Sequence, residues 1–187
     1  MKQPIIKGRN ITLRVLTLND AKAHHDCEDS EIAKYLGKGK TSTLDGVRNW
    51  ISTTVIPNWE NNGPKFHFAI EENGTGAVVG HVEADIDNDA DKFFQAGEAN
   101  ISYSLRSESR GNGYVDEAIL LMASWIVEND IAETALINVQ QENAKSASIA
   151  HRLGFNLERT YKSDKSENIW LRYTMSFKSL VERGLSL

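Results

Sequence analysis

Several short stretches of the chain alternate apolar with polar residues, which is the pattern of strands that bury one face. Residues 11–16 alternate in this way, and residues 65–71 place three large apolar side chains on one face. A third stretch, 78–86, follows after the sequence Asn-Gly-Thr-Gly at 73–76, which is typical of a hairpin turn. We therefore predict an antiparallel pair of strands joined at this turn.

Apolar residues spaced three and four apart predict two longer helices, and cap and stop residues predict a third, short helix. The first follows Thr43, a residue suited to an N-cap, and ends near Pro57. Its apolar stripe consists of Val47, Trp50, Ile51 and Val55. The second covers 115–129, with Val115, Ala118, Ile119, Met122 and Ile126 on one buried stripe. The third is short, with Asn143 as its cap and Gly154 as its stop.

The remaining elements complete an order that indicates the fold class. Shorter helices are predicted at 21–27 and near 30–36, and further strands at 97–105, 134–139, 155–161 and 168–177. The resulting order, β-α-α-β-β-β-α-β-α-β-β, predicts a mixed α+β domain. Its sheet would be mainly antiparallel and twisted, with about seven strands and helices on both faces. We expect a single domain over 1–187 with its core at about 11–177, and the tail from Lys178 has no clear partner.

Charge and composition narrow the classes of function. The chain has 187 residues and a net charge of −5, without a lysine or arginine cluster, which argues against non-specific nucleic-acid binding. An acidic surface suits a cationic acceptor, such as an amine or a basic peptide. The one cysteine, Cys27, excludes an intrachain disulfide and favours a reducing compartment. With no apolar stretch of signal-peptide or membrane-helix length, the protein is expected to be cytoplasmic and without a membrane partner.

The segment 110–118 lies between a predicted strand and a predicted helix. Gly111 and Gly113 allow the backbone to turn sharply and to expose its N–H groups ahead of the helix. Such a loop can bind phosphate through those groups and the helix dipole. The spacing fits neither the dinucleotide fingerprint nor the P-loop. On the loop alone, a phosphate site and a plain tight turn remain open.

This segment resembles the pyrophosphate-binding signature of the GNAT superfamily, the acetyl-CoA-dependent N-acetyltransferases. Arg110 and Gly113 match the signature, and Tyr114, Glu117 and Ala118 match its usual continuation in the RimJ/RimL-like branch, the ribosomal-protein-alanine N-acetyltransferase-like proteins. Residues 143–155 resemble the second signature of that branch. The residues in register there are Asn143, Ser146, Leu153, Gly154 and Phe155. Together and in this order, the two motifs are specific, and the GNAT fold has the predicted element order.

The resemblance implies acetyl-CoA as co-substrate, without a metal. Backbone N–H groups of 111–115 would cradle its pyrophosphate, and the strand end at 103–105 would line its pantetheine arm. The implied cofactor-binding residues are Tyr103, Ser104, Leu105, Arg110, Gly111, Asn112, Gly113, Tyr114, Val115, Asn143 and Ser146. Val115 departs from the small residue of the signature and could narrow the phosphate site. The alternative role of Asn143 is a plain helix cap, and that of Arg110 is a surface charge.

Acetyl transfer needs a neutral amine and a stabilised thiolate. The tyrosine that many relatives place before Gly-Phe is absent, because Ala150 occupies its slot. The resemblance to the RimJ/RimL-like branch instead implies that Ser146 hydrogen-bonds the leaving sulfur, and its alternative role is a plain residue in the first turn of a short helix. Strand alternation makes Glu83 and Glu98 the candidate bases, although either can instead lie on a solvated strand face, or water can take the proton. A metal site of His67, His81 and Glu83 lacks the usual zinc spacing.

The predicted function is transfer of acetyl from acetyl-CoA to a primary amine, by direct attack in a ternary complex. The amine would be a protein N-terminus or a small molecule, and the protein a monomer or homodimer. Acceptor specificity would come from the first two helices and the loop 87–94. Trp50, Trp59, Phe93 and Phe94 are candidates for that cleft, with core packing favoured for Trp50. The alternative is a catalytically weak GNAT-like domain that binds acyl-CoA or another protein.

Overall fold

The strands form one sheet in a computed structural model that describes residues 3–35, 39–87, 91–163 and 167–184. The sheet order is β1-β2-β3-β4-β5-β6-β8-β7. The strands are β1 (Ile5–Lys7), β2 (Ile11–Val15), β3 (Lys65–Glu72), β4 (Val78–Asp85), β5 (Glu98–Leu105), β6 (Thr134–Gln140), β7 (Asn156–Lys162) and β8 (Ile169–Ser176). Within the described residues the sheet therefore has eight strands rather than about seven, because the short β1 was not predicted.

Most neighbouring strands run antiparallel, as the sequence predicts. The hairpin at 73–76 is confirmed, since β3 pairs antiparallel with β4 from Lys65 opposite Asp85 onwards. β1 pairs with β2, β2 with β3, and β8 with both β6 and β7 in the same antiparallel sense. The pair β5–β6 is parallel. The mixed α+β class is confirmed, and a doubly wound parallel sheet is excluded.

Seven α-helices occur in the described ranges, and none of them is long and apolar enough to cross a membrane. They are α1 (Ala21–His25), α2 (Ser30–Tyr35), α3 (Leu44–Trp50), α4 (Ile56–Glu60), α5 (Tyr114–Glu128), α6 (Ala144–Arg152) and α7 (Phe177–Gly184). The helix predicted from Thr43 to Pro57 is divided by a π-helical turn, Ile51–Val55. α7 was not predicted; it forms because Phe177 and Leu180 are buried one turn apart.

Three predicted helix ends are confirmed by their hydrogen bonds or backbone. The Thr43 hydroxyl accepts a hydrogen bond from the N–H of Gly46 at 3.0 Å, and the Asn143 side chain accepts one from Ser146 at 3.2 Å. Gly154 has a φ of +82°, a conformation that a helix stop requires and that glycine adopts at little cost. The predicted turn at 163–167, the acidic run 87–91 and the end of the second helix near 36–37 include residues outside the described ranges.

The chain is divided into two compact units, which share β5 and α5. The first unit comprises Met1–Asp85 and Ser102–Met122, and the second comprises Ile86–Ile101 and Ala123–Leu187. Each has an apolar core of fully buried side chains. In the first these include Ile11, Leu13, Ile51, Phe68 and Ile70, and in the second Ile126, Leu136, Ile137, Tyr173 and Phe177. Each such side chain contributes about 1.5–3 kcal/mol through burial.

Gly80 allows the end of β5 to approach β4 closely. A Cβ atom at this position would lie 2.3 Å from the carbonyl oxygen of Ser104 and 2.5 Å from Cδ2 of Leu105. The backbone N–H of Arg106 donates to the Val79 carbonyl at 2.9 Å, which fixes the same two segments together. The absence of a side chain at position 80 therefore sets the position of the strand end that precedes the loop 106–113.

Replacing Gly80 with alanine should lower stability, because the backbone carbonyl of Ser104 must move away from the new methyl group. We expect the free energy of unfolding to fall by about 1–3 kcal/mol, measured by denaturant unfolding. Gly74 is the matched control, since a Cβ atom there meets nothing within 4 Å. Gly74→Ala should change stability by no more than about 0.5 kcal/mol. Equal effects of the two substitutions would contradict this account of Gly80.

Candidate active site

The loop between β5 and α5 is shaped by two glycines with left-handed backbone conformations. A short 3₁₀ turn, Ser107–Ser109, precedes Arg110, and α5 begins at Tyr114. Gly111 has a φ of +83° and Gly113 a φ of +77°, and a Cβ atom at either would point into open space. The glycines are required by conformation rather than by crowding, because other residues rarely adopt this region.

This conformation leaves a run of backbone donors without acceptors. No described residue accepts a hydrogen bond from the N–H groups of residues 111–115. Because they lie at the N-terminus of a 15-residue helix, the helix dipole adds positive potential at the same place. The side chain of Val115 belongs to the buried stripe of α5, and its N–H is among the unpartnered donors. The arrangement is suited to an anion such as a phosphate group.

The guanidinium group of Arg110 holds the loop to another part of the first unit. Its Nη1 donates to Glu31 Oε2 at 3.0 Å and its Nη2 to Asp29 Oδ2 at 2.5 Å. Nη2 also donates to the Leu105 carbonyl at 3.1 Å. Asp29 in turn accepts from the N–H of Ile32 at the start of α2. Arg110 therefore connects the glycine loop to α2, and two carboxylates neutralise its charge.

A cavity of about 360 Å³ opens in the same unit. Helices α1, α2 and α3 and strands β4 and β5 all contribute to its wall. The residues that line it are His24, Glu28, Ile32, Ala33, Ser42, Gly46, Val47, Trp50, His81, Glu83 and Ser102. Of these described residues, two are carboxylates and none is lysine or arginine. The volume suits a small molecule or one end of a chain, and the charge favours a cationic group.

Three histidines and Trp50 pack together at the cavity. The His24 ring stacks on Trp50 with centroids 5.0 Å apart and meets the His81 ring edge-on at 4.5 Å. His67, which is buried, meets the other side of Trp50 at 4.9 Å. Burial lowers the pKa of His81 well below its usual range, and positive charge on His24 or His67 would lower it further. Burial also lowers the pKa of His24, so both rings are neutral at pH 7.

Glu83 lies on the cavity wall with its carboxylate close to His67. Its Oε2 is 3.0 Å from Nδ1 of His67. Burial alone would raise the pKa of Glu83, but the His67 ring, aided by Lys65, outweighs burial and lowers the pKa. The carboxylate is therefore ionised at pH 7. No group of three or more metal-ligating side chains with the arrangement of a metal site occurs in the described ranges.

Comparison with known proteins assigns the family. Residues 10–156 match the family described as the acetyltransferase (GNAT) domain. The chain belongs to the GNAT acetyltransferase family. The superfamily expected from the two motifs is thereby confirmed. None of the curated proteins compared by sequence matches the chain.

Solved structures with the same fold include several GNAT acetyltransferases. An acetyltransferase from Bacillus anthracis has a TM-score of 0.75 at 19% identity, over 94% of this chain and 99% of that one. The Salmonella typhimurium enzyme that modifies the N-terminal serine of L7/L12 has a TM-score of 0.77 at 15% identity, over 92% and 99%. The microcin C7 self-immunity acetyltransferase MccE, solved with acetyl-CoA and AMP, has a TM-score of 0.73 at 19% identity, over 90% and 93%. The likeness to each is one of fold.

Glu98, the other candidate base, lies in the second unit and is ion-paired with a buried arginine. Arg172, which is 1% exposed, donates through Nη2 to Glu98 Oε2 at 2.6 Å. The same guanidinium contacts Asp91 at 3.2 Å and also pairs with Glu158. The Glu98 carboxylate is therefore engaged by an arginine, and it is not among the residues that line the cavity. Of the two carboxylates predicted in this GNAT chain, Glu83 is the one on the cavity wall.

The residues of the second GNAT signature also lie in the second unit, on α6. Asn143 caps this helix, so the role suggested for it as a plain cap is present. Ser146, in the first turn, is half-buried. Ala150 is fully buried, so a tyrosine in its place would have to displace core atoms. A leaving-group contact by this helix would therefore come from the region of Ser146 and not from position 150.

The four aromatic residues predicted to line an acceptor cleft have different environments. Trp50, for which core packing was favoured, is half-buried and lines the cavity, which corrects that expectation. Trp59 is in the core at 2% exposure, and its Nε1 donates to the His67 carbonyl. Phe93 stacks under Arg159 in the second unit, with 4.2 Å from the guanidinium carbon to the ring centre. Phe94 is half-buried in the same unit.

Two ionisable residues of the cavity, His24 and Glu28, were not predicted from the sequence as part of a site. Both lie in the polar run around Cys27, which was considered only for its thiol. The thiol is buried, and burial raises its pKa to about 11, so it is unreactive. The spacing of four between His24 and Glu28 would have placed them on one face had the helix been extended by one turn. That periodicity was the available signal.

The neutral histidines make stability depend on pH. Below about pH 6.5 the unfolded chain binds protons at His24 and His81, whereas the folded protein disfavours them there. The free energy of unfolding therefore decreases as the pH is lowered. We expect a loss of up to about 1.4 kcal/mol per pH unit per histidine between pH 7 and pH 5. Denaturant unfolding should show a smaller loss for His81→Gln, and His151→Gln, with its exposed ring, should follow the wild type. Parallel curves for all three proteins would contradict the prediction.

Proposed function

We propose that the protein is an acetyl-CoA-dependent N-acetyltransferase that acts on a primary amine. The observation that carries the proposal is the run of five backbone donors at 111–115 that have no acceptor in the described part of the chain, in the same compact unit as an acidic, histidine-lined cavity. The donors suit the pyrophosphate of a CoA thioester, and the cavity suits a cationic amine. The membership of the GNAT family supports both assignments.

Acetyl-CoA, the acetyl donor, would bind along the end of β5 and the following loop. The pyrophosphate accepts hydrogen bonds from 111–115, and the pantetheine arm lies against Tyr103, Ser104 and Leu105. Gly80 supports this arrangement because it allows the strand end to approach β4 closely. Asn143 and Ser146 complete the proposed set of cofactor contacts from the second signature. Arg110 contributes to binding of acetyl-CoA by fixing the position of the loop.

The reaction is a direct transfer in a ternary complex. The amine, as a free base, attacks the thioester carbonyl carbon, a C–N bond forms, and the C–S bond breaks to release the CoA thiolate. The attacking nitrogen loses a proton to a group on the cavity wall, where Glu83 is the carboxylate that the sequence predicts as a base. The Ser146 hydroxyl stabilises the thiolate by a hydrogen bond, since serine is too weak an acid to protonate it fully.

The acceptor would be a protein N-terminus or a small amine. Among the proteins with the same fold, one is a Vibrio fischeri ribosomal-protein-S5-alanine acetyltransferase and another is the aminoglycoside acetyltransferase AAC(6')-Ib. These define the panel of amines to be tested. We further propose that the whole chain acts as one catalytic domain in the cytoplasm, where its single cysteine remains reduced.

Release of free thiol from acetyl-CoA provides the direct test. We expect the purified protein to release thiol faster than background with at least one amine from a panel of short peptides beginning with Ala or Ser, diamines and aminoglycosides. Reactions without the protein and without the amine are the controls. Calorimetric binding of CoA without thiol release across the panel would indicate a catalytically inactive binding domain instead. Failure to bind CoA would refute the assignment of the loop as well.

Two substitutions test whether Arg110 acts by positioning the loop. Arg110→Gln removes the connection to α2 and Asp29→Asn weakens it by one of its two ion pairs, and each should raise the calorimetric Kd for CoA, by about three- to tenfold for Arg110→Gln and by less for Asp29→Asn. If Arg110 instead contacted phosphate directly, removing the competing carboxylate of Asp29 would leave the Kd unchanged or lower it. Arg48→Gln, which breaks an ion pair with Asp45 on an exposed helix face, should leave the Kd unaltered.

A further inference from the structure

His81 combines three properties that no other side chain of the cavity shares. Its ring lines the cavity. Its Nδ1 is 2.9 Å from the hydroxyl oxygen of Ser104, on the strand end where the proposal above places the pantetheine arm. Its Nε2 has no hydrogen-bond partner in the described part of the chain, yet it is not sealed from solvent. The ring is therefore fixed at one nitrogen and available at the other.

Glu83, two residues further along β4, is less available than His81 to accept a proton. One of its carboxylate oxygens, Oε2, is 3.0 Å from the ring of His67. Glu83 is thus the carboxylate that faces the His67 ring, which packs edge-on against Trp50. A proton on Glu83 would remove the negative charge that faces His67. The carboxylate is thus better suited to hold the cluster and to attract a cation than to accept a proton.

We propose that Nε2 of His81 accepts the proton of the acceptor amine, with the Nδ1–H group donating to Ser104. In this role His81 touches the reacting nitrogen, Ser104 is a positioning residue whose hydroxyl accepts the hydrogen bond from Nδ1–H and fixes the ring, and Glu83 provides electrostatic support. The proposal rests on the acetyl transfer proposed above and names the proton acceptor for that reaction.

The step balances without a further reactant. As the C–N bond forms, the nitrogen becomes positively charged and strongly acidic, and its proton moves to the lone pair on Nε2. The C–S electron pair leaves with the thiolate. The imidazolium is disfavoured by burial and by the neighbouring histidines, so it passes the proton to solvent through the open cavity and the neutral ring is restored. A low pKa keeps the lone pair free before the step at pH 7.

The first test compares substitutions in the full-length protein. His81→Gln should lower kcat for the best amine by about 10²- to 10⁴-fold, the range of a general base, with an unchanged calorimetric Kd for CoA. Glu83→Gln should mainly raise the KM for the amine, because it removes an attractive charge. His151→Gln, a histidine on α6 outside the cavity, is the matched control and should be fully active. Loss of kcat in Glu83→Gln with retained kcat in His81→Gln would overturn the proposal.

Chemical rescue separates a catalytic from a structural role. His81→Ala leaves space in the cavity, and added imidazole should restore at least tenfold of the lost kcat by supplying the missing lone pair. Equal concentrations of pyrazole, a much weaker base of the same size, should not. Rescue by both compounds alike would indicate that the ring only fills space, and would overturn the proposal, as would rescue by neither in a variant with the wild-type Kd for CoA.

A readout independent of turnover is the tautomer of His81. Long-range ¹⁵N–¹H correlation spectra at pH 7, assigned with His81→Gln, should show a protonated Nδ1 and an unprotonated Nε2, and Ser104→Ala should reduce this preference. A protonated Nε2 in the wild type would overturn the proposal even in an active enzyme. The two failures are distinct: a wild type that binds CoA but acetylates no amine refutes the proposed function, whereas an active His81→Gln refutes only the role of His81.

Discussion

The structure depends on a short piece of backbone in which two left-handed glycines leave five successive N–H groups without an acceptor among the described residues. Side chains with a Cβ atom rarely adopt this conformation, so Gly111 and Gly113 are needed for their backbone and not for the space around them. The donors gain potential from α5 only because the helix begins at Tyr114, directly after the second glycine. Both ends of the loop are then held: Gly80 lets β5 approach β4, and Arg110 connects the loop to α2.

Arg110 and Arg172 show two ways of using an arginine in this chain. Arg110 is partly exposed and spans two carboxylates on a neighbouring segment, so its contribution is chiefly geometric. Arg172 is buried with three carboxylates around it, which makes it costly to remove, because the anions would then be left unpaired in a region of low polarity. Glu98 is therefore engaged in an ion pair with Arg172, while Glu83 lies on the cavity wall beside the His67 ring.

The sequence predicts local features well and long-range pairing poorly. The caps at Thr43 and Asn143, the stop at Gly154 and the hairpin at 73–76 each depend on neighbouring residues, and all are found. The partners of Arg110 are about 80 residues away in the chain, and no periodicity indicates them. The helix from Thr43 contains a π-helical turn at Ile51–Val55 that no sequence pattern indicated, and Trp50, directly before this turn, lies at the cavity while Ile51 is in the core.

The cavity illustrates why residue type alone did not identify its chemistry. Strand alternation places His81 and Glu83 on one face, and the bases predicted from the sequence were the carboxylates Glu83 and Glu98. The two side chains differ in their neighbours. His67 lies beside the carboxylate of Glu83, and Ser104 lies beside the imidazole of His81. The ionised carboxylate and the neutral imidazole have different roles in the proposed reaction. The anion attracts the ammonium form of an amine, and the imidazole accepts a proton although it carries no charge before the reaction. An amine therefore meets attraction and deprotonation at adjacent groups, and neither group has to perform both tasks.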